Sequence, residues 1–255
     1  MKQAVLITAG HIRIGKAIAS CLSNAGYYIY MHHHDSEAEA REALAGLSGA
    51  GEVVQCDLGD YQDVEKMIAK LDGLKHVVNN ASLFSADNML DFTKDSFADH
   101  LNVNLRGPMQ LARGLYNYLD GDDRGSVVNI LDSKVLALNA DYSSYTLSKH
   151  GLYGATEMMA QALGANVRVN GIAPGMTLIA DGQSTKSFEM ASHLNFNGSP
   201  LNVEDIATTV LHLITSTSIN GAVIPVDGGQ KMMNFTKDVV DVAEGILKEG
   251  TLRKD

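Results

Sequence analysis

The chain has 255 residues, is 45% hydrophobic and 20% charged, and carries a formal net charge of −10. That composition is ordinary for a soluble globular protein, and the length suits one large α/β domain with a sizeable core. The acidic balance, with no basic patch, argues against a nucleic-acid partner, and no apolar run reaches the roughly eighteen residues of a membrane span.

The start, "MKQAVLITAGHIR", enters a strand at once and carries no signal-peptide cleavage pattern, so a cytoplasmic location is expected. Cys21 and Cys56 lack metal-ligand spacing and read as small buried hydrophobes in a reducing compartment. Along the chain, short apolar runs alternate with helical patterns. "AVLIT" (4–8), "YYIYMH" (27–32), "EVVQC" (52–56), "HVVNN" (76–80), "SVVNIL" (126–131), "VRVNGI" (167–172) and "AVIPV" (222–226) read as strands. Helical patterns lie near 14–24, 36–45, 61–71, 95–119, 144–164 and 203–215. Continuous Val/Ile runs separated by helix-length segments indicate buried parallel strands in βαβ units. Right-handed crossovers then give a Rossmann-type, doubly wound, mainly parallel seven-stranded α/β sheet with helices on both faces. Residues 1–230 read as one domain, with 175–200 as a substrate-binding lid after the sixth strand. Beyond it, 231–255 reads as a helical tail: Val239, Val242, Ile246 and Leu247 fall at helical spacing, suited to packing on the body or a neighbouring subunit.

The first βα junction, "LITAGHIRIGKAIA", is a strand, a tight turn and a helix. Backbone N–H groups and the positive helix end would face a pyrophosphate there, with Gly10 permitting the turn and Gly15 letting the helix approach the strand. Glycines at such a junction also serve geometry alone; position at the first junction, ahead of further alternations, favours a dinucleotide site. Asp57, closing the third strand, reads either as an acceptor for an adenine amino group or as a turn cap. After the second strand comes "MHHHDSEAEA", in which Ser36 and Glu39 have capping-box spacing. Three consecutive His on an extended segment point to alternating faces and suit a metal poorly, so no metal is expected. His34 with Arg13 instead suits an adenosine 2′-phosphate, which favours NADPH. Asp35 would repel that phosphate if turned inward, which leaves NADH open.

"YTLSK" places Tyr145 and Lys149 one helical turn apart. A nearby ammonium stabilises a phenolate, so this pairing is expected to lower the Tyr145 pKa and let it exchange a proton with substrate. A surface Tyr–Lys pair is the plainer alternative. The "NNA" of 79–81 and Asn104 in "NVNLRG" supply polar groups at the crevice.

From "TAGHIRIG" through "NNA", "NVN", the YxxxK pattern and "NGIAPG" to "VDGG", the chain resembles the short-chain dehydrogenase/reductase family along nearly its whole length. The resemblance implies catalytic roles for Asn104, Tyr145 and Lys149. It implies a cofactor site at Thr8, Gly10, Arg13, Ile14, Gly15, His34, Asp57, Asn80, Ala81, Lys149, Pro174 and Gly175, and a homodimer or homotetramer built through the long helices. Asp132 stands where the family usually has Ser, thirteen residues before the Tyr; Ser133 is one residue off. An ionised Asp cannot donate to a carbonyl oxygen and repels a developing alkoxide, whereas it suits a ring bearing N–H donors. That substitution is similar to the pteridine reductases, as are Arg13, His34, Ser82 and Phe84 in "NNASLF". Substrate contacts are therefore assigned to Ser82, Phe84, Asp132 and Tyr145, with Phe84 stacking the ring. The resemblance implies an NADPH-dependent reductase of a C=N bond in a pterin or folate. Carbonyl reduction through Ser133 and a non-catalytic nicotinamide-binding sensor are the alternatives. Two departures stand out: Ala9 replaces the first Gly of the family turn, and Asp35 replaces an Arg typical of pteridine reductases.

Overall fold

The computed structural model describes residues 3–164, 166–179 and 182–249. Seven strands, β1 (Ala4–Ile7), β2 (Tyr28–His33), β3 (Gly51–Gln55), β4 (Leu74–Asn79), β5 (Gly125–Ile130), β6 (Val167–Pro174) and β7 (Val223–Val226), form one sheet. Their order is β3-β2-β1-β4-β5-β6-β7, and every pairing is parallel. The order reverses between β1 and β4, where a crevice opens at the carboxyl ends of the strands.

Side-chain alternation divides the core. Val5, Ile7, Val78 and Val128 face one layer, with Ile18 and Leu22 of α1 (Arg13–Asn24) and with Ala40 of α2 (Glu37–Ala45). Ala4, Leu6, Val77 and Val127 face the other, with Val64 and Met67 of α3 (Tyr61–Ile68). Both faces of the sheet are thus buried, which is why its strands read as unbroken apolar runs rather than alternating ones.

The pattern near 95–119 is not one helix. It resolves into α4 (Lys94–Leu101), a wide π turn (Asn102–Arg106) and α5 (Gly107–Tyr118). Pro108 has no N–H to close onto the Asn104 carbonyl four residues earlier, so the regular ladder breaks there. Leu111 and Leu115 of α5 pack beside Ala155 and Met159 of α6 (Ser143–Leu163).

The 175–200 segment contains α7 (Thr185–Ser192) and is followed by α8 (Val203–Thr215). The tail forms α9 (Val239–Glu249), whose Val239, Val242, Ala243 and Ile246 pack on Met190, Ala191 and Leu194. The tail therefore docks on the segment around α7 of its own chain, while Leu247 faces solvent. Ser36 precedes α2 without a side-chain cap bond, so the expected capping box is not formed; Glu37 and Glu39 in the first turn favour the helix dipole instead.

Candidate active site

The first turn is held from two sides. Thr8 Oγ1 accepts from the amides of Asn80 and Ala81, each at 2.8 Å, while Asn80 Nδ2 donates to the Thr8 carbonyl at 2.9 Å. On the other side the Ala9 amide donates to His32 Nδ1 at 3.1 Å, and His32 Nε2 reaches the Cys56 carbonyl at 3.0 Å. An imidazole accepting at one nitrogen and donating at the other is neutral, and burial lowers the His32 pKa to about 4.

Ala9 and Arg13 both have left-handed backbones, φ +50° and +53°. A Cβ on Gly15 would lie 2.2 Å from the Ala9 carbonyl oxygen, so glycine is required for α1 to enter against the turn. Ile14 is half-buried beside it. α1 starts with no side-chain cap and no acidic residue in its first turn, which leaves its N–H groups and positive dipole end without an internal counterpart. His11 Nδ1 is buried with no hydrogen-bond partner. A glycine-tight turn, an uncapped helix start and an unmet buried ring nitrogen together fit a dinucleotide pyrophosphate.

The three consecutive His separate by depth. His32 is the buried clamp, His33 is buried, and His34 is exposed with Nδ1 3.1 Å from Asp35 Oδ2. Among the described residues, no three His, Cys, Asp or Glu side chains gather at a metal position. Arg13, expected together with His34 at an adenosine 2′-phosphate, donates here to the carbonyls of Ile179 (2.6 Å) and Leu178 (3.4 Å). Asp57 adopts the turn-cap role, its Oδ1 accepting from the Gly59 amide at 2.7 Å, so that oxygen is not offered to adenine. Pro174 ends β6, and the Gly175 amide donates to the Val226 carbonyl, which ties the start of the 175–200 segment to β7.

The catalytic candidates converge. The Tyr145 hydroxyl donates to Asp132 Oδ2 at 2.8 Å, while Asp132 Oδ1 accepts from the Lys134 amide at 2.8 Å. It is the carboxylate of Asp132, not the hydroxyl of Ser133, that meets Tyr145. Lys149 Nζ donates to the Ile130 carbonyl at 2.8 Å and stands 5.7 Å from the centre of the Tyr145 ring. The electrostatics reverse the expected tuning. Burial, then the charge of Asp132 and its hydrogen bond, push the Tyr145 pKa well above its ordinary value. Lys149, one turn away, is itself pulled down to about 8 by burial, against the opposing pull of Asp132. Tyr145 is thus held as a proton donor.

Asn104 is fully buried, and its amide joins three elements. Its Oδ1 accepts from the Leu83 amide at 2.7 Å; its Nδ2 donates to the Leu83 carbonyl and to Ser148 Oγ, both at 2.9 Å. The side chain is therefore spent on fixing the Ser82–Phe84 loop against α6. Ser148 was not singled out from the sequence, although its place beside Tyr145 and Lys149 on α6 was a usable signal. Ser82 Oγ makes a 3.3 Å contact to the Leu83 carbonyl and is exposed. Phe84 stacks on Tyr142 at 4.5 Å and meets Tyr145 edge-on at 4.7 Å. With 49% of its surface exposed, Phe84 still has ring area available to a flat ligand. Tyr142, missed by sequence reasoning, has φ +56°; nothing in "DYSSY" signals a left-handed aromatic residue.

The family model described as enoyl-(acyl carrier protein) reductase, a model of short-chain dehydrogenases/reductases, matches residues 10–231. The chain is 27% identical to a 3-oxoacyl-[acyl-carrier-protein] reductase of Bos taurus, covering 91% of this chain and 99% of that protein. It is 28% identical to an L-xylulose reductase of Mesocricetus auratus, over 88% and 94% of the two chains. Among solved structures, FolM alternative dihydrofolate reductase 1 of Brucella canis, complexed with NADP, superposes with a TM-score of 0.83 at 35% identity, over 90% of this chain and 94% of that one. The Brucella suis counterpart, also with NADP, gives 0.85 at 35% identity, over 90% and 95%.

Proposed function

The chain belongs to the short-chain dehydrogenase/reductase family, and we propose that it is an NADPH-dependent reductase of a ring C=N bond in a dihydropterin or dihydrofolate-like substrate. The observation that carries this reading is the 2.8 Å contact between the Tyr145 hydroxyl and a carboxylate, where carbonyl chemistry would want a neutral donor. The NADP-bound, 35%-identical FolM relatives support both the cofactor and the substrate class.

NADPH, when bound, supplies the hydride that goes to the carbon of the C=N bond. Every other part falls to the chain. Tyr145, kept protonated by its surroundings, delivers the proton to the ring nitrogen, so the double bond becomes CH–NH. Asp132 accepts from N–H groups of the aminopyrimidinone and sets its orientation. Lys149, with a pKa near 8, is mostly protonated at neutral pH and suits the ribose hydroxyls. Phe84 covers the flat ring, and Arg13, by linking the first turn to residues 178 and 179, closes the crevice from above. Exposed Met109 and Tyr116 on α5, with Leu147, Tyr153 and Met158 on α6, support association of copies through these helices. A cytoplasmic location belongs to the same proposal.

The test follows nicotinamide absorbance with 7,8-dihydrobiopterin, dihydromonapterin or dihydrofolate, offering NADPH and NADH in parallel. Pterin-dependent loss of NADPH, absent in Tyr145→Phe, supports the assignment; loss of neither cofactor overturns it. The second reading, carbonyl reduction, is favoured by the names of the 3-oxoacyl and xylulose reductase relatives. Asp132→Ser separates the two, since it should improve a carbonyl reductase and damage a pterin reductase.

A further inference from the structure

A buried ion pair joins the tail to the catalytic loop. Lys134 Nζ lies 2.7 Å from Asp238 Oδ2, with only 8% and 11% of the two side chains exposed. Lys134 follows Asp132 in the chain by two residues, and its amide is the one that binds Asp132 Oδ1. Its ammonium also stands 4.7 Å over the Tyr142 ring and contacts the Asp141 carbonyl at 3.4 Å. Asp238 is equally committed. Its amide donates to Asp141 Oδ2 at 2.8 Å, and its Oδ1 accepts from Val240, capping the start of α9. Alongside, Asn139 Nδ2 donates to the Lys237 carbonyl at 3.2 Å.

These bonds converge on one strained residue. A left-handed backbone is costly for an aromatic side chain and persists only where the surroundings over-determine it. At Tyr142 the surroundings are Lys134 above the ring, Phe84 stacked beside it, and Asp141 tied to the tail. Tyr142 in turn sets where Phe84 lies, and Phe84 leans on the Tyr145 ring. The tail, packed on α7, thereby reaches the reacting hydroxyl through one chain of contacts.

We propose that Lys134 and Asp238 are positioning residues for the ring substrate: the tail, through this pair, holds Tyr142 in its left-handed conformation and so fixes the Phe84–Tyr142 aromatic wall. The inference rests on the reading of the site as one for a flat, ring-shaped substrate. Neither residue is placed to touch the reacting atoms. Their loss should loosen the wall and weaken the hold on substrate, leaving the cofactor turn on the far side of the crevice intact.

The experiment uses Asp238→Asn in the full chain. Asn keeps an oxygen for the Val240 amide, so α9 retains its cap, while the charge facing Lys134 is lost. Steady-state kinetics with dihydrofolate and NADPH are measured together with amide hydrogen exchange over residues 139–146. The expected result is a KM for dihydrofolate raised roughly tenfold, with KM for NADPH unchanged and faster exchange at 143–146. Lys134→Met should reproduce it, and Lys134→Arg, which keeps the charge, should hold KM and exchange close to the wild-type values. A fall in thermal midpoint with both KM values and the exchange of 139–146 unchanged would reduce the pair to structural glue and overturn the proposal. The exchange readout needs no turnover. If the wild type reduces no pterin or folate, the functional assignment fails, while unchanged exchange in Asp238→Asn separately defeats the positioning claim.

Discussion

The Tyr145 hydroxyl and the Asp132 carboxylate share a 2.8 Å hydrogen bond inside a site where Tyr145 is only 7% exposed. An anion as acceptor and burial of the ring act in the same direction, so the phenol keeps its proton. A phenol that keeps its proton can act as an acid, and under the proposed function the acceptor is a ring nitrogen. Tyr145→Phe should lower kcat by about 10²–10⁴-fold with NADPH affinity unchanged, as measured by cofactor fluorescence titration. Asp132→Asn should remove the opposing charge and bring the Tyr145 pKa down, which a spectroscopic titration of phenolate would reveal as an earlier alkaline onset.

The turn at Ala9–Gly15 predicts two opposite substitution effects. Gly15→Ala places a Cβ 2.2 Å from the Ala9 carbonyl oxygen and 2.6 Å from Asn80 Nδ2, so α1 must move. A loss of about 1–3 kcal/mol in stability is expected, with a large drop in NADPH affinity, read by urea unfolding and titration. Ala9→Gly removes a left-handed Cβ and should be neutral or slightly stabilising, since relief of about 1 kcal/mol offsets the added chain entropy. Equal damage from both changes would mean that the turn is not under the constraint described.

Asp35 carries a prediction about cofactor choice. It lies exposed beside His34, where its charge occupies the ring that an adenosine 2′-phosphate would want. Asp35→Asn frees His34 and removes a like charge. It should tighten NADPH several-fold and leave NADH unchanged at low ionic strength, with the difference shrinking as salt is raised. No change in the NADPH/NADH ratio would place Asp35 outside the discrimination.

Two buried imidazoles predict acid sensitivity. His32 and His76 are both lowered to about 4, in each case chiefly by burial. Unfolded His titrates near 6.5, so between about pH 6.5 and 4 the unfolded chain binds more protons than the folded one. The stability they confer is therefore present above 6.5 and is lost as pH falls, by up to about 3 kcal/mol each near pH 4. Urea unfolding at pH 7 and pH 4.5 should show the fall, and His32→Asn should flatten it. An unchanged slope in that variant would assign the acid sensitivity elsewhere.

The strands, their parallel pairing and the position of the Tyr–Lys pair were legible in the sequence because each depends on local facts. Val/Ile runs bury both faces of a strand, and a spacing of four residues puts two side chains on one helix face whatever surrounds them. Asp132 could likewise be singled out by its spacing from Tyr145. What the sequence could not carry was anything set by depth or by contacts between distant segments. The three His of 32–34 are identical in the chain, yet one is a neutral clamp and another an exposed partner of Asp35. Tyr145 was expected to be acidified by its neighbour on the helix, but burial and a carboxylate brought from the end of β5 outweigh that neighbour. Arg13 reaches the carbonyls of residues 178 and 179, and the tail meets Lys134 more than a hundred residues away. Periodicity and motif spacing follow from bonds along the chain; dielectric environment and partner choice exist only once the chain has closed on itself.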